Sequence, residues 1–191
     1  PYMCDQTHAI GASFRACGVD AQVLPETDNR SMELGRKYAS GKECLPFIVT
    51  LGDFLKKIKE KNFNPEASAF FMPQASGPCR FGQYNRLHRM VLDELGLEQV
   101  PVLVLDQAGG YHKDTAALGR NFRLHAWRSM AILDEIQKLV LEKRPYEASR
   151  GETDAVYREW LERLVKNVGQ DGERLKEFSR LASMAFDAIK I

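Results

Sequence analysis

Apolar positions along this chain recur in two rhythms, and the order in which they alternate predicts its elements. From Asp5 to Cys17, Ile10, Phe14 and Cys17 fall at i, i+4 and i+7, which predicts a helix stopped by Gly18. Ala21-Gln22-Val23-Leu24-Pro25 reads as a short strand, and the opening Pro1-Tyr2-Met3-Cys4 as the end of a strand already under way, as in a domain excised from a longer protein. Asp28 or Ser31 then caps a second helix that ends near Ser40-Gly41. Pro46 suits the first turn of a third helix, with Phe47, Ile48, Leu51, Leu55 and Ile58 on one face and Lys56, Lys57 and Lys59 away from it. Asn64-Pro65 breaks the chain before a strand over Ser68–Pro73. A helix from about Cys79 to Leu95 buries Tyr84, Leu87, Val91 and Leu95 and ends at Gly96. The continuous apolar run Val100–Leu105 reads as a strand buried on both faces.

These 105 residues follow the order βαβααβαβ with short links, which predicts an α/β fold: a doubly wound parallel sheet of about four strands. Asp106 to Gly119, with Gly109-Gly110, reads as a loop. Beyond it the period is helical throughout. Phe122, Ala126, Met130, Leu133 and Ile136 mark a helix from about Leu118 to Leu141, closed by Arg144-Pro145-Tyr146. Val156, Trp160, Leu164 and Val168 mark a second, ended by the turn at Gly169 and Asp171-Gly172. Leu175, Phe178, Ala182, Ala185 and Ile189 mark a third. The expected domains are therefore 1–116, a parallel α/β domain, and 117–191, an all-helical extension.

Composition narrows the class. At 191 residues the chain can bury one full core with a helical appendage. The 27 basic residues balance 26 acidic ones, so no electrostatic pull toward nucleic acid or an anionic membrane is expected. No apolar run approaches the roughly 20 residues of a membrane span, and no secretory-signal pattern opens the chain. Four cysteines, at 4, 17, 44 and 79, are too widely spaced for a zinc ribbon or a clustered ferredoxin run. Reduced thiols in a cytoplasmic protein are the expectation.

The chemistry lies in two segments. Ser40-Gly41-Lys42-Glu43-Cys44-Leu45-Pro46 and Gly77-Pro78-Cys79-Arg80-Phe81-Gly82 each set a cysteine at a junction leading into a helix. Parallel α/β folds place their chemistry at such junctions, and a helix N-terminus favours a thiolate. In a doubly wound sheet Cys4, Cys44 and Cys79 could reach one edge, with Lys42 and Arg80 adding positive charge, whereas Cys17 reads as a buried small hydrophobe. That setting suits a reactive thiol or an anionic metal–sulfur cluster; small residues at tight turns is the plain alternative. Arg80, Arg86, His88 and Arg89 could hold phosphates, although at helical spacing a solvated face is the favoured reading. His8 and His125 have no carboxylate partner in sequence, and neither a dinucleotide fingerprint nor a P-loop occurs.

The segments Leu34–Pro46, Phe71-Met72-Pro73 and Gly77–Tyr84 resemble signatures of the 2-hydroxyacyl-CoA dehydratase family. More closely, they are similar to the dehydratase-like region of the large activator proteins (CoA-substrate-specific enzyme activases) of 2-hydroxyglutaryl-CoA dehydratase. The similarity continues through Phe122–Arg128 and Arg144–Glu147. This resemblance implies flavodoxin/Rossmann-like domains and an oxygen-sensitive [4Fe-4S] cluster held by cysteines. It further implies electron delivery by a partner ATPase and radical dehydration or reduction of a CoA thioester, as in anaerobic metabolism. Cys44 and Cys79 would then be cluster ligands, with Cys4 as a third on topological grounds. Two motif cysteines supply half of a tetrathiolate set, so the rest would come from Cys4, another domain or a partner chain. Lys42 and Arg80 are candidate anion or phosphate contacts beside them.

Two functions follow as expectations. The first is an iron–sulfur electron-transfer or dehydratase-like module of a larger ATP-dependent CoA-thioester system, inactive alone. The second is a non-catalytic scaffold whose helical third docks onto the ATPase or dehydratase partner.

Overall fold

A computed structural model of the chain describes residues 1–105, 118 and 121–191. It resolves into two compact units, one formed by Pro1–Met3 with Val23–Ala117, the other by Cys4–Gln22 with Leu118–Ile191. The loop expected over Asp106–Gly119 lies outside the described residues, Leu118 excepted.

In the first unit, α2 (Asn29–Arg36) begins where the Asp28 carboxylate accepts the Ser31 N–H at 2.8 Å, in a reciprocal capping box. Lys56 Nζ lies 2.9 Å from the same carboxylate and, with the Ser31 N–H, holds the Asp28 carboxyl down at about 2. Helix α3 (Leu45–Ile58) carries Pro46 in its first turn, where a missing N–H costs nothing. It buries Phe47, Leu51, Phe54 and Leu55 at helical spacing. Asp53 on the same face is also buried. Its oxygens accept the Ser31 hydroxyl at 2.5 Å and the Thr27 hydroxyl at 2.8 Å, which supplies the partners a buried carboxylate needs.

The strands are β1 (Phe70–Phe71) and β2 (Val102–Leu103), parallel, with Phe70 opposite Val102 and Phe71 opposite Leu103. Backbone bonds from Phe70 N to Pro101 O (2.8 Å), Met72 N to Leu103 O (2.9 Å) and Gln74 N to Leu105 O extend the ladder. Helix α4 (Tyr84–Glu94) packs Tyr84, His88, Val91 and Leu92 inward. One core joins these elements: Leu34, Phe47, Leu51, Phe54, Phe70, Met72, Leu92 and Val100 are all buried in it.

This corrects the expected fold class. The described residues form a helix-rich structure with one two-stranded ladder, not a doubly wound sheet of about four strands. Residues 1–4 and 21–25 are not strands. Ala21–Pro25 instead crosses from one unit to the other, and Leu24 packs on the first core without a ladder. Apolar side chains can bury an extended segment, but only paired backbone makes it a strand, and Pro25 brings no donor. The Val100–Leu105 run is not covered on both faces, since Leu103 remains 49% exposed. The helix expected from Cys79 opens as a 3-10 turn (Arg80–Gln83) before α4, and Leu95 stays outside the core.

The second unit is helical. It comprises α1 (Gln6–Ala16), α5 (Asn121–Lys143), α6 (Glu152–Asn167) and α7 (Gly172–Asp187). Helix α1 thus packs with the C-terminal helices, a partition different from the boundary drawn at residue 116. Phe14 meets Phe122 at 4.5 Å between ring centroids, and the Tyr157 hydroxyl donates to Asp5. Ile132, Leu133, Ile136, Trp160, Leu164, Leu175, Phe178 and Phe186 form a continuous core, with Trp160 edge-on to Phe178 at 5.0 Å. Asp171 caps α7 by accepting the Arg174 N–H at 2.9 Å. Among the described residues, no helix is long and apolar enough to cross a membrane.

Candidate functional site

Cys44 and Cys79 lie in the first unit, each at the residue that begins a helical segment. Cys44 is the N-cap of α3, with extended backbone (φ −76°, ψ 151°), and Cys79 occupies the same position on the 3-10 turn leading into α4 (φ −70°, ψ 132°). Neither caps its helix with the side chain, so both sulfurs are left for other contacts. Both thiols are free, Cys44 half-buried and Cys79 exposed.

Tyr84 meets one of them. Its ring is buried in edge-on contact with Phe47 (5.6 Å) and Phe81 (5.4 Å), and its hydroxyl reaches Cys44 Sγ at 2.7 Å. Burial pushes the Tyr84 phenol up to about 12; the Cys44 contact and the nearby charge of Cys79 add to the rise, and Arg80 opposes it. Of the two thiols, Cys44 is the one in contact with that hydroxyl. A second tie runs between the two cysteine segments, where Arg80 Nη1 donates to the Lys42 carbonyl at 2.7 Å. Gly82, on the 3-10 turn that follows Cys79, passes so near the Ala75 carbonyl that a Cβ there would stand 2.4 Å from its oxygen.

The Lys42 loop is closed by Glu43. Its carboxylate accepts the Gly41 and Lys42 N–H groups, each at 3.1 Å, and the Ser40 hydroxyl at 2.9 Å. A hydrogen bond from Glu43's own backbone, then that from the Ser40 hydroxyl, hold the Glu43 carboxyl below its usual range. Lys42 and Arg80 thus meet through a backbone carbonyl, and both are exposed.

The remaining residues singled out from sequence go elsewhere. Cys4 and Cys17 belong to the second unit, and burial pushes the Cys17 thiol up. Arg89 is held within its own unit, by Asp93 at 2.8 Å and by the carbonyls of Leu97 and Val100. Arg86 is exposed and His88 fully buried, so the four residues considered for phosphate do not face one ligand. His8 lies on α1, and His125, on α5, has a buried Nδ1 without a hydrogen-bond partner.

A tetrathiolate iron–sulfur site takes four such donors, and in the first unit Cys44 and Cys79 are the thiols that could contribute to one. Among the described residues, no group of three or more His, Cys, Asp or Glu is gathered as a metal ion would need. Tyr84 is the site residue that sequence reasoning missed. On a helical stripe an aromatic reads as core, and nothing local reports a sulfur 40 residues away. Comparison of the chain with protein-family models, curated proteins and solved structures found no match.

Proposed function

We propose that the first unit is an iron–sulfur half-site within a larger, cytoplasmic, ATP-dependent system that dehydrates or reduces CoA thioesters. In this reading Cys44 and Cys79 donate two thiolates to a [4Fe-4S] cluster, and other domains of the polypeptide or a partner chain donate the rest. The cluster would supply one-electron chemistry at low potential, fed by the partner ATPase. This chain's own part is to orient two soft donors, with Arg80 bracketing their loops and adding positive charge beside an anionic centre. The observation that carries the reading is that the two cysteine segments are tied together, Arg80 beside Cys79 donating to the Lys42 carbonyl two residues before Cys44 at 2.7 Å. Lys42 and Arg80 are the proposed contacts for an anionic group such as a CoA phosphate.

The test is iron and sulfide content with the visible spectrum after anaerobic reconstitution, for the wild type, Cys44→Ser and Cys79→Ser. Cluster bound by the wild type and lost in both variants is the expected result. Wild-type protein that takes up no iron, alone or with the full-length partner domains, overturns it.

A scaffold role for the second unit has one observation in its favour: Trp127 on α5 is 73% exposed, with exposed Leu124 one turn away. Docking there predicts that adding the ATPase partner shields Trp127 from acrylamide quenching. Unchanged quenching at saturating partner removes this role.

A further inference from the structure

The ring of Tyr84 is packed between Phe47 and Phe81, and only its hydroxyl leaves the aromatic cluster. Phe47 stands one turn into the helix that Cys44 caps, so a single turn of α3 fixes both the ring and the sulfur it meets. A buried tyrosine hydroxyl takes a hydrogen-bond partner, and the sulfur of Cys44 lies 2.7 Å from this one. A thiolate, free or bound to metal, has no proton to give, and a thiol S–H is the weaker donor of the pair. Either atom could donate at this distance, and the O–H is the stronger donor of the two. Among the described residues Cys79 makes no such bond, so the two thiols are not equivalent.

We propose that Tyr84 is a positioning residue for Cys44, its hydroxyl donating to Sγ and fixing both the rotamer and the electron density of that sulfur. In its metal-bound form this rests on the reading of Cys44 as a cluster ligand; in the metal-free protein it does not. Hydrogen bonds to ligand sulfur withdraw charge and are among the levers that set cluster potential. Were Cys44 a cluster ligand, this bond would withdraw charge from its thiolate and raise the potential. It also holds Cys44 in place before any metal arrives.

Tyr84→Phe keeps the ring contacts and removes the donor, and two readouts separate the two claims. In reduced, metal-free protein the infrared S–H stretch of Cys44, assigned with Cys44→Ser, is expected to move in Tyr84→Phe to the position of a solvent-exposed thiol. An unmoved band overturns the proposal. After reconstitution with iron and sulfide, Tyr84→Phe is expected to bind the same amount of cluster at a more negative midpoint potential, and an unchanged potential overturns the tuning role. Should no cluster form in the wild type, the ligand reading fails while a shifted S–H band still supports the positioning role. Should Tyr84→Phe fail to fold, Cys44→Ala retains the ring. The Tyr84 hydroxyl contribution to the ultraviolet Raman difference spectrum must then change, and an unchanged spectrum overturns the bond.

Discussion

Gly52 of α3 passes so close to Ser31 of α2 that a Cβ on it would stand 1.7 Å from the Ser31 carbonyl oxygen. About one turn away, Gly35 of α2 meets the Ile48 carbonyl just as closely, with a Cβ distance of 1.8 Å. The obstacles are backbone atoms, so no rotamer change can make room. Gly52→Ala is expected to destabilise the first unit by about 3 kcal/mol, the upper range for overpacking. Hydrogen exchange of the α2 and α3 amides reads this directly, since both tryptophans lie in the second unit. Gly172→Ala is the contrast: its Cβ would meet the Arg128 side chain at 3.6 Å, ordinary contact, and stability should stay within about 0.5 kcal/mol. Equal protection in wild type and Gly52→Ala would refute the close crossing.

His88 is wholly buried among Phe47, Phe54 and Tyr84, with Nε2 3.3 Å from the Thr50 hydroxyl and Nδ1 unpartnered. Burial pushes its imidazole down to about 3, against about 6.5 for a solvated histidine. The unfolded chain therefore binds a proton below about pH 6.5 that the folded chain refuses. Stability from this group is complete above that pH and falls as pH drops toward 3. Each pH unit in this window is worth about 1.4 kcal/mol, so by pH 5 the loss approaches roughly 2 kcal/mol. Urea denaturation followed by far-ultraviolet circular dichroism at pH 7.5 and 5 checks this, with His88→Phe as the variant that flattens the dependence. A wild type and variant of equal slope would rule out the buried neutral imidazole.

In the second unit, Leu133 is completely buried beside Ile136 and Phe186. Leu133→Ala is expected to cost about 3 kcal/mol, the usual penalty for a leucine cavity. Asp171→Ala removes the carboxylate that accepts the Arg174 N–H and is expected to cost about 1 kcal/mol. Trp160, packed on Phe178 in the same core, reports both by fluorescence during denaturation. An Asp171 variant costing as much as the Leu133 variant would mean that the cap does more than end a helix.

What the sequence made legible was local. Asp28 before α2, Pro46 in the first turn of α3 and the Phe47, Leu51, Leu55 stripe are all signals within one helical turn or two. The sheet was misread because Ala21–Pro25 has the apolar content of a buried strand, whereas strand formation depends on a partner remote in sequence, which Val102–Leu103 has and Ala21–Pro25 lacks. The same limit hid the company of α1, which is decided by Phe14 meeting Phe122 more than a hundred residues later. At the site, the cysteines stood out by their junction positions. Tyr84 did not, because a tyrosine on the Tyr84, Leu87, Val91 stripe looks like core until its hydroxyl is seen to end on Cys44.

Arg80 gives the last prediction, since its guanidinium binds the two cysteine segments together through the Lys42 carbonyl. The bond is exposed, so Arg80→Met should change stability by no more than about 1 kcal/mol. Its effect should fall on geometry instead. Two thiolates hold one soft metal ion well only when both sulfurs reach it at once, and freeing one loop from the other lowers the chance that they do. Cadmium alone is a suitable probe, followed through thiolate-to-metal charge-transfer absorption in metal-free protein. Arg80→Met is expected to bind cadmium several-fold more weakly than wild type, and Cys79→Ser more weakly still. Binding unaffected by Arg80→Met but lost in Cys79→Ser would show that the turn around Cys79 holds its own position, leaving Arg80 to act through charge alone.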